Sequence, residues 1–241
     1  KKIDLDAYRE KYGNIHRMDR ILKAESDTPD RYQVIKQADT LMTFYLLSPG
    51  QVARILERMG YSPGNPQELM KRNYDYYIQR TSHGSTLSFV VHSAILQYLE
   101  GHRGDQMSWY RTALESDIFD IQGGTTPEGI HTGVMGGTLD LVIEAFVGID
   151  FYRDHIEVRP CLPDTWHRLR FRMMHRKNTM VVDLTHERMT FTLEHLRGEK
   201  TYIRYQEENY HFNGEGTIRL KLSQDPEKAV QEDEKPCERT K

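Results

Sequence analysis

The chain has 241 residues, 37% hydrophobic and 29% charged, with a net charge of −3. Those values suit a soluble protein of one large or two ordinary domains. They give no reason to expect nucleic acid or an acidic membrane as a partner, and no apolar run approaches the roughly 20 residues that span a bilayer.

Nothing resembling a signal peptide opens the chain, which starts at Lys1 rather than Met and is expected to be a piece of a longer one. The first 150 residues read as helices joined by turns. Ile35 to Leu47 carries Leu41, Phe44 and Tyr45 at helical spacing, so Ile35–Asp39 is expected near a helix start. Ser48-Pro49 and Asn65-Pro66 are start signals, because the first side chain caps free amides and proline fits the first helical position. Helices are then expected from Pro49 to Gly60, from Pro66 past Tyr77, from about Leu87 to Glu100, from Gln106 to about Phe119, and from Gly129 to about Phe146. Several are apolar or small over much of their surface, Leu87–Leu99 above all. Six or so such helices suit part of a larger helical toroid better than a closed bundle.

The pattern changes near Asp150. Ile156 and Val158, then Leu169, Phe171 and Met173, then Met180, Val182 and Leu184, then Phe191 and Leu193 alternate with polar residues. Short period-two runs are half-buried antiparallel strands. Helices followed by strands predict two domains, 1–150 and 151–222. Residues 223–241 are rich in Glu and Lys and read as a disordered tail. Only Cys161 and Cys237 are present, and Cys237 lies in that tail, so no disulfide is expected.

Three segments offer chemistry. His83-Gly84-Ser85-Thr86 precedes an apolar helix, whose N-terminus has unpaired amides and a partial positive charge. Gly84 permits close approach, Ser85 and Thr86 add hydroxyls, and His83 adds an imidazole N–H. The segment can hold a phosphate, or Ser85 or Thr86 can simply cap the helix, and the two readings are compatible. Lys36 and Gln37 could donate to sugar hydroxyls or face solvent on a helical turn. Gly124 to His131 contains Thr125 and Glu128 at capping-box spacing. Gly133, Gly136 and Gly137 allow close helix packing or close ligand approach. Arg168, Arg170 and Arg172 fall on one solvated strand face. His186-Glu187 and Glu194-His195 lack the spacing of a metal site, and no nucleotide-binding loop is present.

In order, Lys36-Gln37-Ala38-Asp39, Thr81–Ser88, Thr126–His131 with Gly136-Gly137, and Arg159–Trp166 form a pattern that resembles the C-terminal portion of glycoside hydrolase family 65. The resemblance covers about residues 31–222. That family contains inverting phosphorylases for maltose, trehalose and kojibiose. It implies the C-terminal part of an (α/α)6 barrel followed by a small antiparallel β-sheet domain. It also implies that His83, Gly84, Ser85 and Thr86 cradle the attacking phosphate, and that Lys36 and Gln37 hold the glucosyl unit. Glu128 is at most a further substrate contact and reads better as a cap. The implied partners are a disaccharide and phosphate, and family members are often homodimers; the two cysteines suit a reducing, cytoplasmic setting. The implied cofactor requirement is none, with no metal. The family's general acid is a Glu upstream of Lys36-Gln37. Here only Glu10 and Glu25 lie upstream, in an unsuitable context, so the acid is expected to be missing from this chain. Alternatives are a trehalase-like hydrolase or an inactive truncated module.

Overall fold

The computed structural model describes residues 1–222 apart from Glu100 and Thr125, with the backbone alone at Glu128. The expected tail, 223–241, lies outside the described residues, as does Cys237. Cys161 forms no disulfide among the described residues. The chain divides into two compact units, Lys1–Leu141 and the remainder from Val142.

The first unit is helical: α1 Leu5–Tyr12, α2 Met18–Ala24, α3 Met42–Leu46, α4 Pro49–Arg58, α5 Pro66–Ile78, α6 Leu87–Leu96, α7 Arg103–Glu115 and α8 Thr132–Asp140. Local chemistry sets the boundaries. Ser48 and Gln51 form a reciprocal capping box at α4, and the Asn65 side chain accepts from the amides of Gln67 and Glu68 at α5. Gly60 follows α4 at φ +88°, a left-handed position that halts a helix with no side-chain penalty.

Two helical expectations differ from the structure. Ile35–Asp39 is not helical. Ile35 instead pairs in parallel with Thr81, and the helix begins only at Met42. The apolar spacing of Leu41, Phe44 and Tyr45 is genuine, but Leu41 and Phe44 serve a short helix that buries them. The last expected helix starts at Thr132 rather than Gly129, since Gly129 has φ +115°. It changes to π-helical winding over Leu141–Phe146.

Helix α6 runs through the middle of this unit. Every residue from Ser88 to Leu96 is buried, including the polar Ser88, His92 and Ser93. Val91, Ile95 and Leu96 join Leu41, Phe44, Val52, Met70 and Tyr74 in one cluster. Gly137 lets α8 approach closely, because a Cβ there would stand 2.8 Å from Val90 Cγ1. Gly136 has no such neighbour. A smaller cluster of Leu5, Ile15, Met18 and Leu22 ties α1 to α2.

The second unit holds two four-stranded sheets. One is ordered β1 (Ile149–Phe151), β2 (His155–Val158), β6 (Tyr202–Tyr205), β7 (Glu208–His211). The other is ordered β3 (Leu169–His175), β4 (Asn178–Leu184), β5 (Arg188–His195), β8 (Gly216–Lys221). The second sheet is antiparallel throughout, and its register places Met180 opposite Leu193, Val182 opposite Phe191 and Leu184 opposite Met189. Those six side chains are buried, as the period-two pattern requires. In the first sheet β2 and β6 pair in parallel, against the antiparallel expectation. The strand core also takes in Val147 and Ile149, so the stretch 142–150 belongs with this unit rather than with the helices. Arg168 and Arg172 pair with Asp183 and Glu194. No helix among the described residues is long and apolar enough to cross a membrane.

Candidate functional site

Two segments 47 residues apart are laced together by their backbones. The Ile35 amide donates to the Arg80 carbonyl (2.9 Å), the Ser82 amide to the Ile35 carbonyl (2.9 Å), and the Gly84 amide to the Lys36 carbonyl (2.7 Å). This short parallel pairing sets Lys36 and Gln37 beside the segment that leads into α6. Gly84 is required at the crossing. A Cβ there would overlap the His16 carbonyl oxygen and stand 2.9 Å from Lys36 Cγ.

After Gly84 the chain turns into α6 with donors to spare. The amides of Ser85, Thr86 and Leu87 have no acceptor among the described residues. The side-chain cap that Ser85 or Thr86 could have formed is not made: Thr86 occupies the cap position without a side-chain hydrogen bond. Neither hydroxyl has a hydrogen-bond partner among the described residues, and Thr86 is only 1% exposed. Three consecutive free amides and two hydroxyls at the positive end of a ten-residue helix can satisfy an oxyanion. The Lys36 ammonium forms no ion pair among the described residues, so its charge is available to the same anion or to a sugar. Gln37 spends one amide N–H on Asp39 (2.8 Å).

His83 sits differently from the expectation of an imidazole that donates to the anion. Its φ is +56°, a left-handed conformation costing on the order of 1–3 kcal/mol in a non-glycine residue. The turn directs the ring inward. It is 5% exposed and packs against Trp109 (4.7 Å between centroids), His92 (4.8 Å) and Phe89 (6.1 Å). Its Nδ1 lies 2.9 Å from the Ser88 hydroxyl. Burial, then the neighbouring His92 and His16, push the His83 pKa down to about 2, so the ring is neutral. His92 is lowered to about 4 by burial, partly offset by its bond to the Ser88 carbonyl (2.7 Å). The backbone of His83, more than its ring, therefore shapes the turn that presents these amides.

Sequence reasoning missed the residues around that backbone. The His83 carbonyl accepts from His16 Nδ1 (2.8 Å) and from Gln122 Nε2 (3.1 Å). Asn14 links the same strands, accepting from the His16 amide and donating to the Ile121 carbonyl. The loop that carries Gln122 is built on two aspartates. Asp120 accepts from the Gly124 and Thr126 amides, and Asp117 accepts from the amide and Nδ1 of His131 (2.8 and 2.6 Å). In the sequence this loop stands out for Thr125, Glu128 and the Thr126–His131 motif, whereas Asp117, Asp120 and Gln122 do not. An Asp that accepts from amides several residues downstream is a signal of the same kind as a helix cap. Glu128 lies in a 3₁₀ turn, Thr126–Glu128, and the Thr125 half of the expected capping box is outside the described residues. No group of three or more His, Cys, Asp or Glu able to hold a metal occurs among the described residues.

A helical unit followed by a unit of two sheets is also the layout that two family models describe. Residues 1–140 match the glycosyl hydrolase family 65 central catalytic domain, and residues 149–212 match the glycosyl hydrolase family 65 C-terminal domain. The chain belongs to glycosyl hydrolase family 65. It is 44% identical over 176 residues to a trehalose 6-phosphate phosphorylase of Lactococcus lactis subsp. lactis, covering 73% of this chain and 22% of that protein. An α,α-trehalose phosphorylase of Thermoanaerobacter brockii is 29% identical, over 73% of this chain and 20% of its own length. A solved structure from the human microbiome, of a chain proposed to be a kojibiose phosphorylase, superposes with TM-score 0.62 at 23% identity. It covers 80% of this chain and 26% of that one, and supports the fold alone. The chain thus spans about a fifth to a quarter of the length of these proteins.

Proposed function

We propose that this chain carries the phosphate-binding and part of the sugar-binding surface of an inverting disaccharide phosphorylase. The single observation that carries the reading is the set of free Ser85, Thr86 and Leu87 amides beside Lys36, in a family whose curated relatives include several disaccharide phosphorylases.

In this reaction an α-glucosyl bond to the acceptor oxygen breaks, and a bond forms between the anomeric carbon and a phosphate oxygen on the opposite face. The products are β-glucose 1-phosphate and the acceptor sugar. The acceptor oxygen leaves with a proton from a general acid. An inverting hydrolase needs a second carboxylate to activate water. Phosphate is already anionic and needs only to be held in line, with its charge offset. Amides 85–87, the hydroxyls of Ser85 and Thr86, and the Lys36 ammonium would do that. Gln37 and Lys36 would meet the glucosyl hydroxyls.

The proton has to come from elsewhere. Glu25 accepts from Lys11, Tyr12 and Tyr8, and these bonds push its pKa down to about 2, so it holds no proton at neutral pH. Glu10 lies exposed on α1. We assign the general acid to residues outside this sequence, so that the chain alone would bind phosphate without turning over disaccharide. The 44% identity to a trehalose 6-phosphate phosphorylase makes trehalose 6-phosphate the first disaccharide to supply, with unmodified trehalose second.

The test is kinetic and stereochemical, on the protein expressed from its natural gene. Proton NMR of the first turnovers should show the β anomer of the sugar phosphate. A Ser85→Ala/Thr86→Ala variant should raise KM for phosphate far more than KM for disaccharide. Appearance of the α anomer, or an unchanged KM for phosphate, would remove the proposal.

A further inference from the structure

The His83 carbonyl is a point where three distant segments meet, and the reaction chemistry does not require it. It receives both an imidazole N–H from His16 and an amide N–H from Gln122, which uses both of its lone pairs. Gln122 is 5% exposed. Its loop is held from behind: the Ile121 amide donates to the Ser116 carbonyl and the Gly123 amide to the Asp120 carbonyl. His16 is equally fixed. Its amide donates to Asn14 Oδ1, its ring meets Phe89 edge-on, and its carbonyl abuts Gly84.

The residue so held is the one left-handed non-glycine position in the cradle. The direction of the His83 carbonyl fixes the peptide plane into Gly84, and the next three planes carry the free amides. With neither clamp, His83 would relax toward the common helical or extended regions, and those amides would swing away from a common focus.

We propose that Gln122 and His16 are positioning residues for phosphate, acting through the His83 carbonyl to aim the Ser85, Thr86 and Leu87 amides. This rests on the reading of residues 83–87 as the phosphate cradle. Neither residue touches the anion in this account. The clamp joins the loop bearing Gln122 to the cradle, so any change in that loop is felt as a change in phosphate affinity.

The test uses the protein from its natural gene, with inorganic phosphate and disaccharide varied separately. Gln122→Ala and His16→Ala should each raise KM for phosphate about ten- to a hundredfold, the scale of a displacement of about 1 Å. KM for the disaccharide should change less than about twofold. His16→Asn, whose amide can place an N–H near the position of Nδ1–H, should recover most of the loss, whereas His16→Leu should not. If Gln122→Ala does not fold, Gln122→Met keeps the volume and removes only the donor, and carries the test. An unchanged KM for phosphate in these variants, with Ser85→Ala/Thr86→Ala still raising it, would overturn the clamp and leave the cradle standing. An unchanged value in all of them would overturn the cradle itself, and the clamp with it. Equal rises in both KM values would reduce the two residues to structural support.

Discussion

Gly84→Ala is the sharpest single perturbation of the site. The new methyl would overlap the His16 carbonyl oxygen and stand 2.9 Å from Lys36 Cγ, where carbon atoms rest at about 3.5–4.0 Å. Lys36 can bend its side chain away. The His16 carbonyl is backbone, and His16 is tied through its amide to Asn14 and through its ring to His83, so it cannot yield cheaply. Overpacking of this kind costs about 1–3 kcal/mol. If the strands part to relieve it, the Gly84–Lys36 hydrogen bond of 2.7 Å goes as well, at about 1 kcal/mol. The expected loss is therefore about 2–4 kcal/mol. With a urea slope of about 2 kcal/mol/M, the midpoint for the helical unit falls by about 1–2 M. Trp109 packs against His83 and stacks on Phe89, and reports directly on this region. Trp166 is the other tryptophan, so a Trp166→Phe background isolates the signal. Gly136→Ala is the control: nothing lies within 4 Å, and it sits in α8, where alanine should stabilise by up to about 1 kcal/mol. Equal midpoints for the two variants would refute the close-approach argument.

Other outcomes follow from the same contacts. His83 and His92 are neutral in the folded chain, at about 2 and about 4, and titrate near 6.5 when unfolded. Both folded values are depressed, so their stabilising effect is complete above pH 6.5 and is lost as pH falls. Between pH 6 and 4.5 each should remove up to about 1.4 kcal/mol per pH unit, and His92→Phe should reduce the slope in urea titrations across that range. Asn178 is fully buried and holds the turn at residues 197–199 through three hydrogen bonds, so Asn178→Ala should cost the β unit about 2–4 kcal/mol by denaturation. Asp117→Ala frees the amide and ring of His131, and hydrogen exchange at residues 126–131 should rise while α6 stays protected.

Much of the fold was legible because local rules decide it. Ser48-Pro49 and Asn65-Pro66 mark α4 and α5 by chemistry that acts within one turn. The alternation in β3, β4 and β5 follows from a sheet with one buried face. The sequence misled where tertiary pairing overrides a local pattern. Ile35 looks helical by spacing, yet its backbone is taken up by Arg80 and Ser82. The parallel pairing of β2 with β6 links residues 47 apart and has no local signature. Lys36 and the segment 83–86 stand out because their residue types are donors, but their assignment to sugar and phosphate rests on the resemblance to family 65. His16 and Gln122 do not stand out, since each serves one carbonyl far away in the chain and its spacing to His83 says nothing. His83 was noticed for its ring, whereas the structure uses its left-handed backbone.

If residues 83–87 hold phosphate as the attacking group, cleavage of the disaccharide must depend on phosphate. The most direct test is to incubate the protein from its natural gene with trehalose 6-phosphate, and separately with trehalose, with and without inorganic phosphate. No cleavage is expected until phosphate is added, and then β-glucose 1-phosphate should form in step with the released acceptor sugar. Release of free glucose at the same rate in phosphate-free buffer would contradict it.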